Sequence, residues 1–295
     1  MRTVSVSVSL WLRVAVLWSI LSAPLLAQSV EHISTFDWQT RSVVGLSGLE
    51  VSDDGARFVS VSDQGWVLSG QLERKDGKIT GVALDDYVPI LGTDGLPVAA
   101  RRIDDWSDAE GLAIAPDGRM WISFERTPRV ERYAVPGAPG SATPSHPTFE
   151  DYRNNRQLET LAIHPDGTLY ALAEQPLRDG FAIYRLDGDV WTIAGNVPRR
   201  NWFAIVGADF DRRGRLFLLE RKLTLTLQWQ NRIRLISVED TKQDRILWTG
   251  RRGAFDNLEG IAVWYDAQGT RLTVVSDNNG DSDEVTQFVD FRVVE

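Results

Sequence analysis

One hairpin pattern recurs five times along the chain and limits its possible folds more than any other feature. In the second copy, the apolar run Leu112 to Ala115 meets the turn Pro116 to Arg119 and continues into the β-rich run Met120 to Phe124. Short strands joined by turn residues have this appearance. The glycines of the five turns fall at positions 55, 118, 167, 214 and 269.

The spacing of these turns predicts the architecture. The turn glycines are 63, 49, 47 and 55 residues apart. A period of about 40 to 50 residues, with room for four short strands in each unit, is typical of β-propeller blades. The sequence therefore predicts an all-β propeller of five blades. A sixth blade would have to lie in the first interval, where we find only two strands and the loop Gly92 to Pro97.

The end of the chain is too short to form a complete last blade. After the fifth turn, only Leu272 to Asp277 and Thr286 to Val294 are available as strands. We therefore expect the segment Val30 to Trp38 to supply the missing outer strand. This pairing would close the ring and leave no open sheet edge between the first and last blades. Residues 28–295 are then a single domain.

The first 27 residues have the arrangement of a secretory signal peptide. Arg2 and Arg13 precede the apolar run Val14 to Leu26, and cleavage is expected after Ala27. The run is too short to span a membrane. The alternative, a buried N-terminal helix, is disfavoured by the proline near the end of the run. The prediction is a periplasmic or secreted protein, monomeric, with no membrane span after signal removal.

Composition excludes several classes of site and partner. The chain contains no cysteine, which excludes disulfides, thiolate metal sites and a cysteine nucleophile. Removing the two arginines of the signal changes the formal net charge from −9 to −11. Such a charge argues against nucleic acid and an anionic membrane surface as partners. An anionic substrate would need a bound cation or local arginines.

Acidic side chains recur near the start and the end of each hairpin. Symmetry about the turns places Glu110 opposite Glu125, Glu159 opposite Glu174, Ser47 opposite Ser62 and Val206 opposite Arg221. Facing carboxylates need a cation, an arginine or a shared proton. Since innermost strands line one channel, up to eight carboxylates should meet at its mouth: Asp63, Glu110, Glu125, Glu159, Glu174, Glu220, Glu259 and Asp277. Glu220 would join them only through a β-bulge.

A surplus of oxygen ligands favours calcium, which binds six to eight oxygens in flexible geometry. The predicted calcium ligands are Asp63, Glu110, Glu159, Glu259, Asp277 and Asn278. Arg126 and Arg221 could instead neutralise the carboxylates by direct pairing. Consecutive strand residues point to opposite faces, so we expect Arg126 to pair with a neighbouring blade rather than with Glu125.

Five motifs follow one another along the chain: Leu46-Ser-Gly-Leu with Ser62-Asp63, Glu110-Gly-Leu with Glu125, Leu158-Glu-Thr-Leu with Glu174, Leu219-Glu-Arg221, and Leu258-Glu-Gly-Ile with Ser276-Asp-Asn278. This ordered set resembles the phytase-like family, named for the esterase-like activity of phytase, over residues 41 to 295. The resemblance implies an exported hydrolase of esters, phosphate esters included. Two positions depart from the pattern: Thr160 stands where glycine is usual, and Val206 replaces glutamate.

Nucleophilic catalysis has little support in the sequence. The histidines, His32, His146 and His164, lie near the N-terminus, in a proline-rich loop and beside a turn, so no Ser-His-acid triad has a convincing base. Ser47 also lacks the Gly-x-Ser-x-Gly spacing of a nucleophile elbow.

A metal-held water with a carboxylate as base is the better mechanism for such a chain. The predicted reaction is calcium-assisted hydrolysis of a phosphate or carboxylic ester, lactones included. The catalytic candidates are Glu110, Glu159, Arg126 and Arg221, and the substrate-binding candidates are Ser47 and Lys222. The alternative is a non-catalytic binding propeller in which the acids and arginines only fasten the blades together.

Overall fold

Five four-stranded antiparallel sheets make up the fold, which confirms the five-bladed propeller. The computed structural model describes residues 28–40, 42–100, 107–152, 157–177, 180–279 and 285–295. The predicted signal peptide, residues 1–27, lies outside the described residues. No helix in the described part of the chain is both long enough and apolar enough to cross a membrane.

The strands follow the repeat. Strand β1 is Ser29–Trp38. Blade 1 contains β2 (Leu46–Val51), β3 (Arg57–Ser62), β4 (Trp66–Lys75) and β5 (Lys78–Pro89). Blade 2 contains β6 (Ala109–Ile114), β7 (Met120–Phe124), β8 (Arg129–Tyr133) and β9 (Ser141–Ala142). Blade 3 contains β10 (Thr160–Ile163), β11 (Leu169–Leu172), β12 (Gly180–Asp187) and β13 (Val190–Pro198).

Blade 4 contains β14 (Ala204–Phe210), β15 (Arg215–Leu223), β16 (Trp229–Ser237) and β17 (Asp244–Thr249). Blade 5 contains β18 (Asn257–Asp266), β19 (Gly269–Asp277) and β20 (Thr286–Val294), and β1 as its outer strand. Two short 3-10 helices, Val98–Ala100 and Pro147–Asp151, lie in connections between blades.

The N-terminal strand closes the ring as predicted. β1 runs antiparallel to β20, from Ser29 beside Val294 to Trp38 beside Thr286. The inner strands β2, β6, β10, β14 and β18 each contact the next one around the ring, and β18 contacts β2. Blade 5 is therefore shared between the two ends of the domain.

Apolar side chains fill the spaces between neighbouring blades because each blade is covered on both faces. Between blades 3 and 4, Phe181 and Ile183 pack with Leu216 and Leu218 in one buried cluster. Between blades 5 and 1, the rings of Phe58 and Phe288 meet edge to face, with centroids 5.5 Å apart. These clusters hold the inner strands at a fixed distance from the channel axis.

A ring of glycines lets the inner strands approach one another closely. A Cβ atom on Gly48 would lie 2.6 Å from the backbone nitrogen of Leu112 in the next blade, and one on Gly260 would lie 2.2 Å from the carbonyl oxygen of Ser47. Gly111 and Gly207 occupy the same position in their blades and are equally crowded. The repeated glycine of the motifs is thus required by packing between blades.

The predicted cross-strand register is wrong at the channel end, by one residue in blade 1 and by two in blades 2, 3 and 4, and a β-bulge in the inner strand contributes one residue of this shift. In blade 2 the bulge lies between Ala109 and Leu112, and Ala109 pairs with Phe124, where the prediction places Gly111. Glu125 then donates its backbone N–H to the carbonyl of Asp108, at 2.8 Å. Asp108 is therefore the residue opposite Glu125.

The same correction applies to the other hairpins. Ser62 pairs with Leu46 instead of Ser47, and Arg221 pairs with Ala204 instead of Val206. In blade 3, the backbone N–H of Glu174 donates to the carbonyl of Gln157, so Glu174 is not opposite Glu159. The extra residue of a β-bulge interrupts the regular alternation of side chains between the two faces of the sheet. The bulge residues therefore project differently from their strand neighbours.

Candidate functional site

Each inner hairpin presents three positions at one end of the channel, and together they form a site that we call the acidic mouth. The start positions are Gly45, Asp108, Gln157, Ala204 and Asn257. The bulge positions are Ser47, Glu110, Glu159, Val206 and Glu259. The end positions, opposite the start positions, are Asp63, Glu125, Glu174, Arg221 and Asp277.

Blade 2 concentrates carboxylates most strongly. Oxygen atoms of Asp108, Glu110 and Glu125 all lie within 4.8 Å of one another. Glu110 and Glu125 are buried, and Asp108 is half-buried. Glu110 was among the predicted ligands, and Glu125 among the predicted acids of the mouth. Asp108 was missed because the bulge that brings it opposite Glu125 was not anticipated, although the glycine after Glu110 is a recognised sign of a bulge in a strand.

Burial and crowding raise the pKa values of these carboxyl groups. Burial raises the pKa of Glu125 to about 8, a rise that Asp108 and Glu174 increase and the backbone N–H of Gln157 opposes. Burial, followed by the charge of Glu259, raises the pKa of Glu110 well above its ordinary value. At neutral pH, blade 2 therefore retains protons unless a cation takes their place.

Carboxyl groups of blades 1, 3 and 5 have raised pKa values as well. Burial raises the pKa of Glu159 well above its ordinary value, and Glu125 and Glu110 add to the rise. Burial, with Glu259 and Asp63 nearby, raises the pKa of Asp277 to about 8. For Asp63 the main cause is again burial, and its pKa is raised to about 6. The predicted carboxylates thus converge closely enough to control one another's ionisation.

Arg221 is the cation at the centre of this arrangement. Its guanidinium donates to Glu259 and to Asn257 of blade 5, and its Nη2 lies 3.5 Å from Glu174 Oε1 of blade 3. Burial disfavours its charge, but Glu259, Glu159 and Glu174 raise its pKa above the ordinary arginine value. Arg221 therefore stays charged and joins three blades.

Two predicted side chains have polar contacts at the mouth. Ser47 Oγ donates to Glu259 Oε2 at 3.3 Å. The side-chain carbonyl of Asn278 accepts the backbone N–H of Gly45 at 2.9 Å, so one of its lone pairs already has a donor. The Nδ2 of Asn278 is buried and has no hydrogen-bond partner among the described residues.

Arg126 lies at the rim and bonds within its own blade. Its Nε is 2.8 Å from Asp108 Oδ2, where strand alternation predicts a partner in a neighbouring blade. The difference arises because β7 ends at Phe124 and Arg126 has a φ of +53°, so the alternation no longer applies. This geometry ties Arg126 to the carboxylates of blade 2.

Two further candidates lie away from the mouth. Glu220 is fully buried and bonds Arg232 and Arg234 within blade 4, and β15 pairs with β16 without the bulge that would bring Glu220 into the ring. Lys222 points to the opposite face of β15 from Arg221, with its Nζ 4.5 Å from the centre of the Phe203 ring. Seven of the eight predicted carboxylates therefore remain at the mouth, and Asp108 is added.

Solved structures with similar folds are numerous. They include a luciferin-regenerating enzyme (13% identity, 89% of this chain and 96% of that chain, TM-score 0.44). A gluconolactonase from Xanthomonas campestris is 14% identical over 84% of this chain and 72% of that chain, with a TM-score of 0.43. A nidogen/laminin complex contains a chain that is 18% identical over 72% of this chain and 67% of its own length, with a TM-score of 0.42. These likenesses concern the fold alone.

Sequence comparison is more specific. No curated protein sequence gives a significant match. A sequence model of the phytase-like family, described by the esterase-like activity of phytase, matches residues 41–280. This range contains every motif that carried the resemblance and all of the acidic mouth. The chain therefore belongs to the phytase-like family.

Proposed function

We propose that this propeller is a calcium-assisted hydrolase of carboxylic or phosphate esters, lactones included, acting at the acidic mouth. The observation that carries the proposal is the blade 2 cluster of Asp108, Glu110 and Glu125, whose oxygens lie within 4.8 Å of one another. Membership of the phytase-like family supports the class of reaction.

The donor set fits calcium. Ligand oxygens bind calcium at 2.3–2.6 Å, so two ligands of one ion can be no more than about 5 Å apart. The oxygens of Asp108, Glu110 and Glu125 meet this condition, and carboxylates are the hard donors that calcium prefers. Glu259 lies close enough to the cluster to raise the pKa of Glu110 and could complete the coordination.

In the proposed reaction, a calcium ion held there would polarise the carbonyl or phosphoryl oxygen of the ester and lower the pKa of an attacking water. Arg221 supplies fixed positive charge for the negative charge that develops on the substrate. A carboxylate of the mouth would take the proton of the attacking water, and Glu159, beside the cluster, would give a proton to the leaving oxygen.

The proposal is tested with calcium-loaded and chelated protein on phosphate monoesters, phytate, aryl esters and lactones. We expect turnover only with calcium, and a fall in kcat/KM of roughly 100-fold or more in Glu110→Gln. A matched control is Glu50→Gln, because Glu50 is likewise an inner-strand carboxyl, half-buried, but accepts the Ile114 N–H and lies outside the mouth. Its activity should stay close to that of the original chain.

Absence of turnover on every substrate class would contradict the hydrolase and favour a binding propeller. In that case the contacts of Arg221 with Glu174 and Glu259 would serve only to join blades. Loss of activity in Glu50→Gln equal to that in Glu110→Gln would also contradict the assignment of chemistry to blade 2.

We also propose that the protein is periplasmic or secreted, with residues 1–27 as its signal. The support is the sequence pattern of Arg2, Arg13 and the apolar run that ends before Ala27. Fractionation of expressing cells, followed by mass determination of the exported protein, should give an N-terminus at Gln28. Retention of the full-length chain inside the cell would contradict the export proposal and leave the hydrolase proposal untouched.

A further inference from the structure

Blade 4 projects a hairpin whose tip is covered with leucines. We call residues 223–229, which join β15 to β16, the apolar hairpin. Leu225 is fully exposed, Leu227 is 79% exposed and Leu223 is 51% exposed. Single exposed apolar residues are common, but this short turn exposes three leucines within five positions. Clusters of exposed apolar side chains commonly mark sites that bind a ligand or a partner.

Hydrogen bonds fix the conformation of the tip, and one residue of the tip has a strained backbone. Thr224 and Gln228 bond each other through the Thr224 N–H and the Thr224 hydroxyl, both of which donate to the Gln228 carbonyl. Leu227 has a φ of +54°, a conformation in which a branched, bulky residue is strained and glycine or asparagine is usual. Strained backbone of this kind is concentrated at functional sites. The turn therefore carries an exposed leucine at a position where glycine would be less strained.

The apolar hairpin is continuous with the acidic mouth. Arg221 and Leu223 are two residues apart on β15 and point to the same face. Trp229 lies opposite Leu223 on that face, and the guanidinium carbon of Arg221 is 5.2 Å from the centre of its ring. Leu223 therefore lies one side-chain layer above Arg221, toward solvent.

The part of the mouth beneath the apolar hairpin is apolar as well. Blade 4 has Ala204 at its start position and Val206 at its bulge position, where blade 2 has carboxylates at both. Trp202, at the same end of blade 4, is 79% exposed and has a φ of +65°. The mouth is therefore polarised, with acids on blade 2 and an apolar wall on blade 4.

We propose that the apolar hairpin binds the hydrocarbon part of the ester substrate, so that the enzyme prefers esters with an extended apolar acyl or alkyl chain. This inference rests on the proposed function, because it assigns the substrate class of the same mouth. The ester group would lie between the carboxylates and Arg221, and its chain would lie along Leu223 and Leu227. The strongly acidic chain makes an anionic membrane surface an unfavourable alternative occupant.

The test uses the double variant Leu223→Ser/Leu227→Gly, whose glycine suits the positive φ of the turn. The control is Val190→Ser, because Val190 is 60% exposed and begins β13 directly after the β12–β13 turn, at the end of blade 3 away from the mouth. Two measurements are made on the mature, calcium-loaded protein. One is kcat/KM for para-nitrophenyl acetate, butanoate and octanoate. The other is the Kd of octylphosphonate and of methylphosphonate by calorimetry.

We expect kcat/KM to rise roughly tenfold or more from acetate to octanoate. Octylphosphonate should bind roughly tenfold more tightly than methylphosphonate. Both ratios should fall close to one in the double variant and stay unchanged in Val190→Ser. The inference is wrong if kcat/KM does not depend on the length of the acyl chain, or if the double variant keeps the same dependence. Either result would leave the hydrolase proposal unaffected.

The binding measurement separates the two proposals. If no ester is hydrolysed but octylphosphonate still binds more tightly and depends on the leucines, the hydrolase fails and the apolar site stands. If the chain is a dimer that the double variant converts to a monomer, with no chain-length effect in either measurement, the hairpin is an interface between two copies and the inference is wrong.

Discussion

Blade 2 and blade 4 share one strand plan but present opposite chemistry at the channel mouth. Blade 2 places Asp108, Glu110 and Glu125 at its start, bulge and end positions. Blade 4 places Ala204, Val206 and Arg221 at the same three positions. Both inner strands contain the bulge and the glycine that follows it.

The comparison separates what builds the ring from what makes the site. Turn, bulge and glycine are shared because every inner strand must bend and approach its neighbour. The side chains at the mouth are free to differ because they project beyond those contacts. Blade 2 gathers negative charge and blade 4 supplies one arginine and an apolar wall, so the mouth can distinguish the two ends of a substrate.

The largest effect is expected from removing the cation of blade 4. Arg221→Met should lower the free energy of unfolding of the chelated protein by about 3–5 kcal/mol, because the buried Glu259 and the half-buried Glu174 would be left without their cation. Chemical denaturation measures the change. Arg57→Met, which breaks an ion pair whose arginine is 62% exposed, should cost less than about 1 kcal/mol. Equal costs for both variants would show that Arg221 does not compensate the carboxylates.

Calcium should stabilise the folded protein by binding to the carboxylates of blade 2, and blade 4 should contribute little to this effect. At about 100 times its dissociation constant, the ion should add about 2.7 kcal/mol to the free energy of unfolding. Differential scanning fluorimetry with calcium and with chelator measures the shift in Tm. Glu110→Gln should lose most of it and Leu225→Ser should keep it. No shift across millimolar calcium would contradict a calcium site in the mouth.

What the two blades share can be tested at their glycines. Gly207→Ala should cost about 1–3 kcal/mol, because its new Cβ would lie 2.5 Å from the carbonyl oxygen of Glu259. Blade 3 already has a Cβ at this position, and the buried hydroxyl of Thr160 has no hydrogen-bond partner among the described residues. Thr160→Val should therefore be neutral or slightly stabilising. A neutral Gly207→Ala would show that the inner strands can separate.

The smallest effect concerns pH. The carboxyl pKa values of the mouth are raised in the folded chain, to about 8 for Glu125 and Asp277 and about 6 for Asp63. The folded state then binds more protons than the unfolded state, so stability falls as the pH rises from about 4 toward about 8. The chelated protein should lose several degrees of Tm across this window, at roughly 2–4 °C per kcal/mol.

Calcium should remove that loss because bound carboxylates no longer need protons. The Tm difference between calcium-loaded and chelated protein should therefore widen with rising pH. If the Tm of the chelated protein rises from pH 5 to pH 8, the negative charge of the mouth carboxylates is balanced without calcium or protons.

Much of the fold could be predicted from sequence because its determinants are local. The turn glycines and the alternation of short strands repeat with a period that only a propeller satisfies, and they led to five blades and closure by residues 30–38. The equivalence of Ser47, Glu110, Glu159 and Val206 was also visible, since each stands eight residues before its turn glycine, and Glu259 matches them across a turn that is two residues longer. The convergence of seven carboxylates and Arg221 at one mouth followed from that symmetry.

The remaining features depended on contacts between blades, which no local pattern reports. The bulge lies beside the glycines at which neighbouring backbones meet, and the predicted partners at the mouth proved wrong by one residue in blade 1 and by two in blades 2, 3 and 4. That shift brought Asp108 into the blade 2 cluster. Burial against Arg232 and Arg234 removed Glu220 from the mouth, and strand direction turned Lys222 toward Phe203. The sequence alone determined the ring and its repeating positions, whereas the partners at each position were decided by packing between blades.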